Sequence, residues 1–257
     1  MTVLFNEIIF GPVRSRRLGI SLGVNLLSSF SKICNFDCIY CECGWNADNR
    51  GSEGFNSPED VHNALEQRLS QMKADGELPD VITFAGNGEP TLNPHFEQII
   101  DDTISLRDTY APNAKVSVLS NATMLDRESV VRALKRVDNN ILKLDSAINS
   151  TALLMNNPQS PSYSVDRVKE QMKQFDGDLI VQTMFLRGTI DDTPIDNTTP
   201  EEVSAWIDAI KEIAPKQVMI YSIDRDTPCH TISKVDREEL LAIGAKIEKL
   251  GIACSIA

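Results

Sequence analysis

The stretch Cys34-Asn35-Phe36-Asp37-Cys38-Ile39-Tyr40-Cys41 places three thiols four and then three residues apart inside an expected loop. Thiolates are the usual protein ligands of iron–sulfur clusters, and a cubane normally takes four of them. Only three are in register here. Cys43 follows with one residue between it and Cys41, too close to reach a different iron without strain. A cluster held by three cysteines keeps one iron free for a ligand that the protein does not supply, so the spacing points to catalysis rather than electron storage. A structural zinc site, which usually shows two paired-cysteine knuckles, and three unliganded neighbouring thiols are the alternatives for these residues taken alone.

Around this loop the chain alternates between two kinds of segment. Upstream, residues 18–27 (LGISLGVNLL) carry branched side chains with glycines at 19 and 23, the pattern of a first strand crowded by another backbone. Residues 28–31 are short and polar, and residues 44–56, with Gly51 and Gly54, read as a surface loop. Ser57-Pro58-Glu59-Asp60 opens a helix: Ser57 suits the N-cap, Pro58 the first turn, and the acids the positive end of the dipole. Val61, Leu65, Leu69 and Met72 form its apolar stripe.

Residues 80–86 (DVITFAG) form a second strand that ends in Asn87-Gly88-Glu89-Pro90-Thr91. A helix from Asn93-Pro94, a strand at 115–119, a helix at 126–137 and a strand at 140–145 follow. Residues 149–164, rich in Asn, Ser and Pro, are expected to form a long loop. A helix at 165–175, a strand at 178–185, a polar loop at 189–199, a helix opened by Pro200, a strand at 216–221, a helix at 237–250 and a short terminal strand at 252–256 complete the pattern. Strands and helices thus alternate about six times, and the strands are near-continuous apolar runs, as expected when both faces are covered. This implies an α/β fold with a parallel sheet and right-handed crossovers. Alternation alone leaves an open doubly wound sheet and an incomplete barrel equally available.

A chain of 257 residues has room for one large α/β domain or two small ones. No repeat, low-complexity tract or linker divides it, so a single domain over residues 1–257 is expected. The composition, 42% hydrophobic and 24% charged, is that of a soluble globular protein. Six cysteines are too sparse for a secreted disulfide scaffold, and their clustering points to a metal site in a reducing compartment. The first ten residues lack a basic leader, Glu7 interrupts their apolar run, and no stretch is long enough for a membrane span; a cytoplasmic location is expected. With 37 acidic against 25 basic residues the net charge is −12, which disfavours nucleic acid as a partner without excluding a local basic patch. Arg14, Arg16 and Arg17 are the candidates for such a patch, and pairing with neighbouring carboxylates is their bland reading.

The spacing Cys-x3-Cys-x2-Cys, with aromatic Tyr40 before the last cysteine, resembles the signature of the radical S-adenosylmethionine (radical SAM) superfamily. The resemblance implies a partial (β/α)6 barrel, with Cys34, Cys38 and Cys41 holding a [4Fe-4S] cluster. It further implies that S-adenosylmethionine binds the open iron and is reductively cleaved to a 5′-deoxyadenosyl radical for hydrogen abstraction, the hard chemistry belonging to the cofactor. Gly86-Asn87-Gly88-Glu89-Pro90 resembles the family's glycine-glycine-glutamate-proline element, which implies that Asn87, Gly88 and Glu89 meet the methionyl ammonium. Taken alone, the same residues are a tight turn with an exposed acid. In parallel α/β folds, ligands gather at the carboxyl ends of the strands, so each strand-end motif is expected to face the cysteine loop.

By the same resemblance Tyr40 packs near the adenine, Ser120 and Asn121 touch the ribose or carboxylate, and Lys143, Asp145 and Gln182 hold the ligand's carboxylate and ribose. Their ordinary alternatives are core packing, a strand-end cap and internal pairing. Arg225, Cys229 and His230, after the 216–221 strand, form a polar group on the substrate side; Cys229 is a hydrogen-atom donor, an extra metal ligand or a plain thiol, and Cys254 a buried structural one. The stretches from Phe10 to Leu27 and from Tyr221 to Arg225 resemble the subgroup that contains the wybutosine-synthesis tRNA enzyme. The expected activity is that of a radical SAM oxidoreductase. Its partners are a reducing electron donor such as a flavodoxin or ferredoxin and a small-molecule, peptide or RNA substrate. A glycyl-radical-enzyme activase and a non-catalytic iron–sulfur sensing module are the alternatives.

Overall fold

The computed structural model describes residues 3–15, 19–49, 51 and 54–257. Arg16, Arg17 and the first residue of the expected 18–27 strand lie outside the described residues, while Arg14 is exposed.

Strand β1 (Ile9–Ser15) runs antiparallel to β2 (Gly19–Val24), and Gly23 of β2 faces the Phe10 ring so closely that a Cβ would sit 2.2 Å from it. The crowding expected at Gly23 is therefore a ring rather than a backbone. β3 (Val81–Phe84), β4 (Lys115–Ser120), β5 (Asn139–Lys143), β6 (Ile180–Ile190), β8 (Gln217–Ser222) and β10 (Ala253–Ile256) extend the sheet from β2, each parallel to its neighbour. The sheet stays open, with β1 at one edge and β10 at the other. This is the expected mixed α/β architecture of a partial barrel.

Between the strands run α1 (Pro58–Asp75), α2 (Phe96–Tyr110), α3 (Glu128–Leu134), α5 (Val165–Met172), α6 (Pro200–Ile213) and α7 (Arg237–Glu248), with α4 (Asn149–Asn156) before α5. Ser57 caps α1 through its side chain, which accepts from the Asp60 amide at 3.1 Å, and Val61, Leu65, Leu69 and Met72 are all buried. Removing one such fully buried leucine side chain costs about 2–5 kcal/mol, so this stripe alone anchors α1 against the sheet. The inner face of the sheet is smaller: Ile141, Ile180 and Met219, with Leu119 beside them, pack across β4, β5, β6 and β8.

Two expected loops are regular structure. Residues 149–156 form α4 because Ala, Leu and Met favour a helix and Ala152 and Met155 bury on one side, while Asn157 ends it at φ 39°. Residues 189–199 hold the second half of a hairpin between β6 and β7 (Thr193–Asp196), whose two-residue turn puts Asp191 at φ 44° and Asp192 at φ 63°. Aspartate tolerates that left-handed region better than most residues, so the turn works without the glycine that usually announces it. β9 (Ile232–Lys234) pairs with β6 on its other side, so the long β6 leaves the main sheet and carries a small antiparallel one. Among the described residues no helix is long and apolar enough to cross a membrane.

Candidate functional site

The cysteine loop is joined to the end of β3 chiefly by main-chain contacts, with Cys43 Sγ 3.5 Å from the Gly86 carbonyl beside them. Ile33 donates its amide to the Asn87 carbonyl at 2.8 Å and accepts from the Glu89 amide at 3.0 Å, forming a parallel bridge with Gly88. Gly88 sits at φ 133°, and a Cβ there would fall 1.9 Å from the Ile33 carbonyl oxygen. Only glycine allows this approach. Asn87 is fully buried and its amide side chain joins the N-terminal segment to the turn before the cysteine loop: Nδ2 donates to the Phe5 and Ser28 carbonyls and Oδ1 accepts from the Phe5 amide, all at 2.8 Å. Asn87 itself does not border the cavity that Gly86, Gly88 and Glu89 line.

That cavity, about 260 Å³ in volume, opens at the carboxyl ends of the strands, and Cys34, Cys38, Cys41 and Cys43 all border it. Burial pushes the Cys34 thiol up to about 12, with the Glu89 carboxylate adding to it, and burial pushes Cys38 up as well. Cys41 goes the other way. A hydrogen bond from Cys43 holds it down against its burial, and the Lys32 ammonium helps, while Cys43 is pushed up by the same shared proton. Lys32 itself is 5% exposed; its Nζ donates to the Gly44 carbonyl at 2.7 Å and lies 3.3 Å from Asp37 Oδ1.

Glu89 forms the opposite wall. Its Oε1 accepts from the Thr91 amide (3.1 Å), Thr91 Oγ1 (2.5 Å) and Ser120 Oγ (2.9 Å), and its Oε2 from the Asn121 amide (2.7 Å). Burial pushes its carboxyl up against these four bonds, and among the described residues no lysine or arginine pairs with it. A buried carboxylate oriented by neutral donors, at a cavity wall, is suited to receive a cation from outside the chain. Asn121 reaches across to Asn35 Oδ1 at 2.7 Å and lies 3.9 Å from Cys34 Sγ, which ties the end of β4 to the cysteine loop.

Lys143 and Gln182 are register partners on β5 and β6, and both side chains border the cavity. Tyr40 borders it too, and its hydroxyl donates to Asp145 Oδ2 and accepts from Lys143 Nζ. Asp145 Oδ1 accepts from the Met184 amide at 2.9 Å. Asp145 thus stands behind Tyr40 instead of facing the cavity. Burial pushes the Lys143 ammonium down, but the Asp145 carboxylate, Tyr221 and the Cys38 and Cys41 sulfurs together push it further up.

The residues after β8 do not assemble as a group. Arg225 is exposed and forms an ion pair with Glu42 on the cysteine loop at 2.5 Å. Cys229 is buried behind the loop, packed among Phe36, Cys38 and Tyr40, with its amide donating to the Ile39 carbonyl. His230 is exposed and does not border the cavity. Cys254, expected to be buried, is half-buried beside α7, where burial pushes its thiol up to about 11. Sequence reasoning passed over Lys32 and Met184, and took Tyr221 only as part of a resembling stretch and not as a cavity residue. A cation two residues before Cys34 and an aromatic at the inward end of the 216–221 strand were the signals available.

A larger cavity, about 540 Å³, lies at the opposite end of the sheet between Asp80, Lys115, Asn139 and Gln217, and no cysteine reaches it.

A family model described as the radical SAM superfamily matches residues 28–175, from the polar turn before the first cysteine to the end of the helical segment after α4. The UPF0026 protein MJ1312 of Methanocaldococcus jannaschii is 33% identical over 216 residues, covering 82% of this chain and 61% of its own length. The chain thus spans less than two thirds of that relative. Among solved structures, Streptococcus suis SuiB bound to S-adenosylmethionine superposes with a TM-score of 0.63 at 16% identity, over 88% of this chain and 48% of its own. A structure of TYW1 with a lysine-pyruvate adduct superposes with a TM-score of 0.61 at 14% identity, over 89% of this chain and 73% of its own. Identities this low speak for the fold alone.

Proposed function

We propose, from the premise that this chain belongs to the radical SAM superfamily, that it is an oxidoreductase acting as one domain, which holds a [4Fe-4S] cluster through Cys34, Cys38 and Cys41 and cleaves S-adenosylmethionine. The observation that carries the reading is that the three thiols and the buried Glu89 carboxylate, which no lysine or arginine among the described residues pairs with, border one cavity, although Glu89 lies far along the chain.

The residues present fit these groups. Three cysteines on one cavity are the donor set of a cluster with an open iron. Among the described residues no three His, Cys, Asp or Glu side chains converge on the point that a single metal ion would occupy. A polynuclear cluster is held at separate corners, so it asks for a shared cavity and not a shared point. When bound, the cluster with its cosubstrate supplies a 5′-deoxyadenosyl radical for hydrogen abstraction, fed by a reducing donor such as a flavodoxin or ferredoxin.

The chain's own part is placement. The Cys41 thiol is held down and those of Cys34 and Cys38 are pushed up by burial, so a bound metal would have to displace the protons of the last two. Glu89 accepts the cosubstrate's ammonium, with Ser120 and Asn121 fixing the carboxylate that does so. Lys143 and Gln182 offer donors to the cosubstrate's acceptor groups from the facing strands. Tyr40, held by Asp145 and Lys143, sets the wall against which a flat base can stack.

The test is anaerobic reconstitution with iron and sulfide, reduction with dithionite, and assay of 5′-deoxyadenosine. Formation by the wild-type chain and a loss of at least about tenfold in cosubstrate affinity in Glu89→Gln are expected. A chain that takes up a cluster and leaves S-adenosylmethionine intact would instead be a binding or sensing module.

A further inference from the structure

We infer that Lys32 is a built-in cation that makes the bound cluster easier to reduce. The inference rests on the proposed function and adds a residue outside the three-thiol motif. An ammonium is costly to bury unless its charge is answered, and the Lys32 side chain is 1% exposed. What answers it is sparse. The Gly44 carbonyl at 2.7 Å is neutral, and the single carboxylate oxygen at 3.3 Å, Asp37 Oδ1, also accepts from the Asn46 amide at 2.8 Å. Both of these partners belong to the segment that carries the three thiols or directly follows it.

Gly44 follows the last cluster cysteine by three residues and Lys32 precedes the first by two, so the amine spans the two ends of the loop that carries all three thiols. The ammonium lies close enough to Cys41 and Cys34 for its charge to favour the thiolate at both. A glutamine or methionine would close the same loop by packing or by one hydrogen bond. A full charge in this place favours whichever state of its surroundings is more negative, and does so strongly where water is excluded.

Net charge and hydrogen bonds to sulfur are among the factors that set iron–sulfur potentials. Reduction adds one electron from an external low-potential donor and makes or breaks no covalent bond. Lys32 stabilises the state with the extra electron, and Asp37, being negative, opposes it. The two residues therefore have opposite predicted signs.

The experiment is a redox titration of the anaerobically reconstituted full chain, with dithionite as reductant and the reduced cluster followed by electron paramagnetic resonance. Iron content and thermal unfolding are read separately. Lys32→Met is expected to make the cluster at least about tenfold harder to reduce, which for a one-electron couple is about 59 mV toward negative potential. Lys32→Arg is expected to stay within about threefold of wild type, and Asp37→Asn to shift the potential in the positive direction. Equal shifts in Lys32→Met and Lys32→Arg, or an unchanged potential in a Lys32→Met chain with full iron content, would overturn the inference and leave the proposed function standing. If Lys32→Met fails to fold or load, Asp37→Asn decides: an unchanged or lowered potential rejects the role assigned to charge. A wild-type chain that takes up no cluster would reject the function and this inference together.

Discussion

The first half of the sheet, β2 to β5, and the second half, β6 to β10, build the same cavity by different means. In the first half main-chain groups join the side chains: Ile33 bridges Gly88, and the Asn121 main-chain amide helps the Thr91 and Ser120 hydroxyls hold Glu89. In the second half the contacts are side-chain contributions from strands whose neighbours come from far along the sequence: Gln182 and Met184 from β6, and Tyr221 from β8. A site fastened by backbone requires particular residues at fixed spacing, glycine above all. A site finished by side chains leaves the spacing free. The family match covers the first half and stops near residue 175, before β6 begins.

The largest effect that can break this comparison is on cluster uptake. Cys34→Ala, Cys38→Ala and Cys41→Ala are each expected to abolish the cluster's visible absorbance and iron content after anaerobic reconstitution, while Cys43→Ala and Cys229→Ala retain both. Loss in Cys43→Ala would make the first half's motif a four-thiol set.

Thiol reactivity of the cluster-free chain comes next. The folded-state value of Cys41 is depressed to about 6, so its thiolate is present above that pH and lost below it, whereas Cys254 stands at about 11. Alkylation of Cys41 is therefore expected to level off near about pH 7 and to exceed that of Cys254 there by more than about a hundredfold, as peptide mass spectrometry can quantify. Equal rates at the two sites would remove the electrostatic difference between the halves.

Gly88→Ala tests the main-chain joint. With φ 133° and the Ile33 oxygen 1.9 Å from the added carbon, the variant is expected to lose about 3 kcal/mol or more in urea unfolding of the apo chain. The smallest effect is expected across the halves. Arg225→Ala breaks an ion pair in which both side chains are about half exposed, so the stability change should stay under about 1 kcal/mol and cosubstrate affinity within about twofold.

The same contrast explains what was legible in the sequence. The three cysteines, Glu89 and the strand-end position of Ser120 and Asn121 could be read because a parallel sheet brings every strand's carboxyl end to one side. The partial barrel itself needed the family resemblance, since alternation could not separate it from an open sheet. The direction of the Asn87 amide was not legible, because adjacency to Gly88 and Glu89 says nothing about which way an amide points, and here it points to Phe5 and Ser28. Arg225, Cys229 and His230 follow one another closely, yet β9 pairing with β6 draws the loop so that Cys229 turns inward and the other two outward. The Asp191-Asp192 hairpin and α4 were hidden by composition: polar residues at a tight turn and around a short helix look like loop. Lys32 escaped notice because burial of a lysine is visible only once the loop has closed around it.

The most direct measurement is the electron paramagnetic resonance spectrum of the dithionite-reduced, reconstituted chain before and after addition of S-adenosylmethionine. If the three thiols and Glu89 serve one cavity, the cluster signal changes on addition in the wild type, and the change is weakened in Glu89→Gln at the same concentration. A wild-type spectrum indifferent to S-adenosylmethionine would show that the cosubstrate does not meet the cluster and would contradict the account.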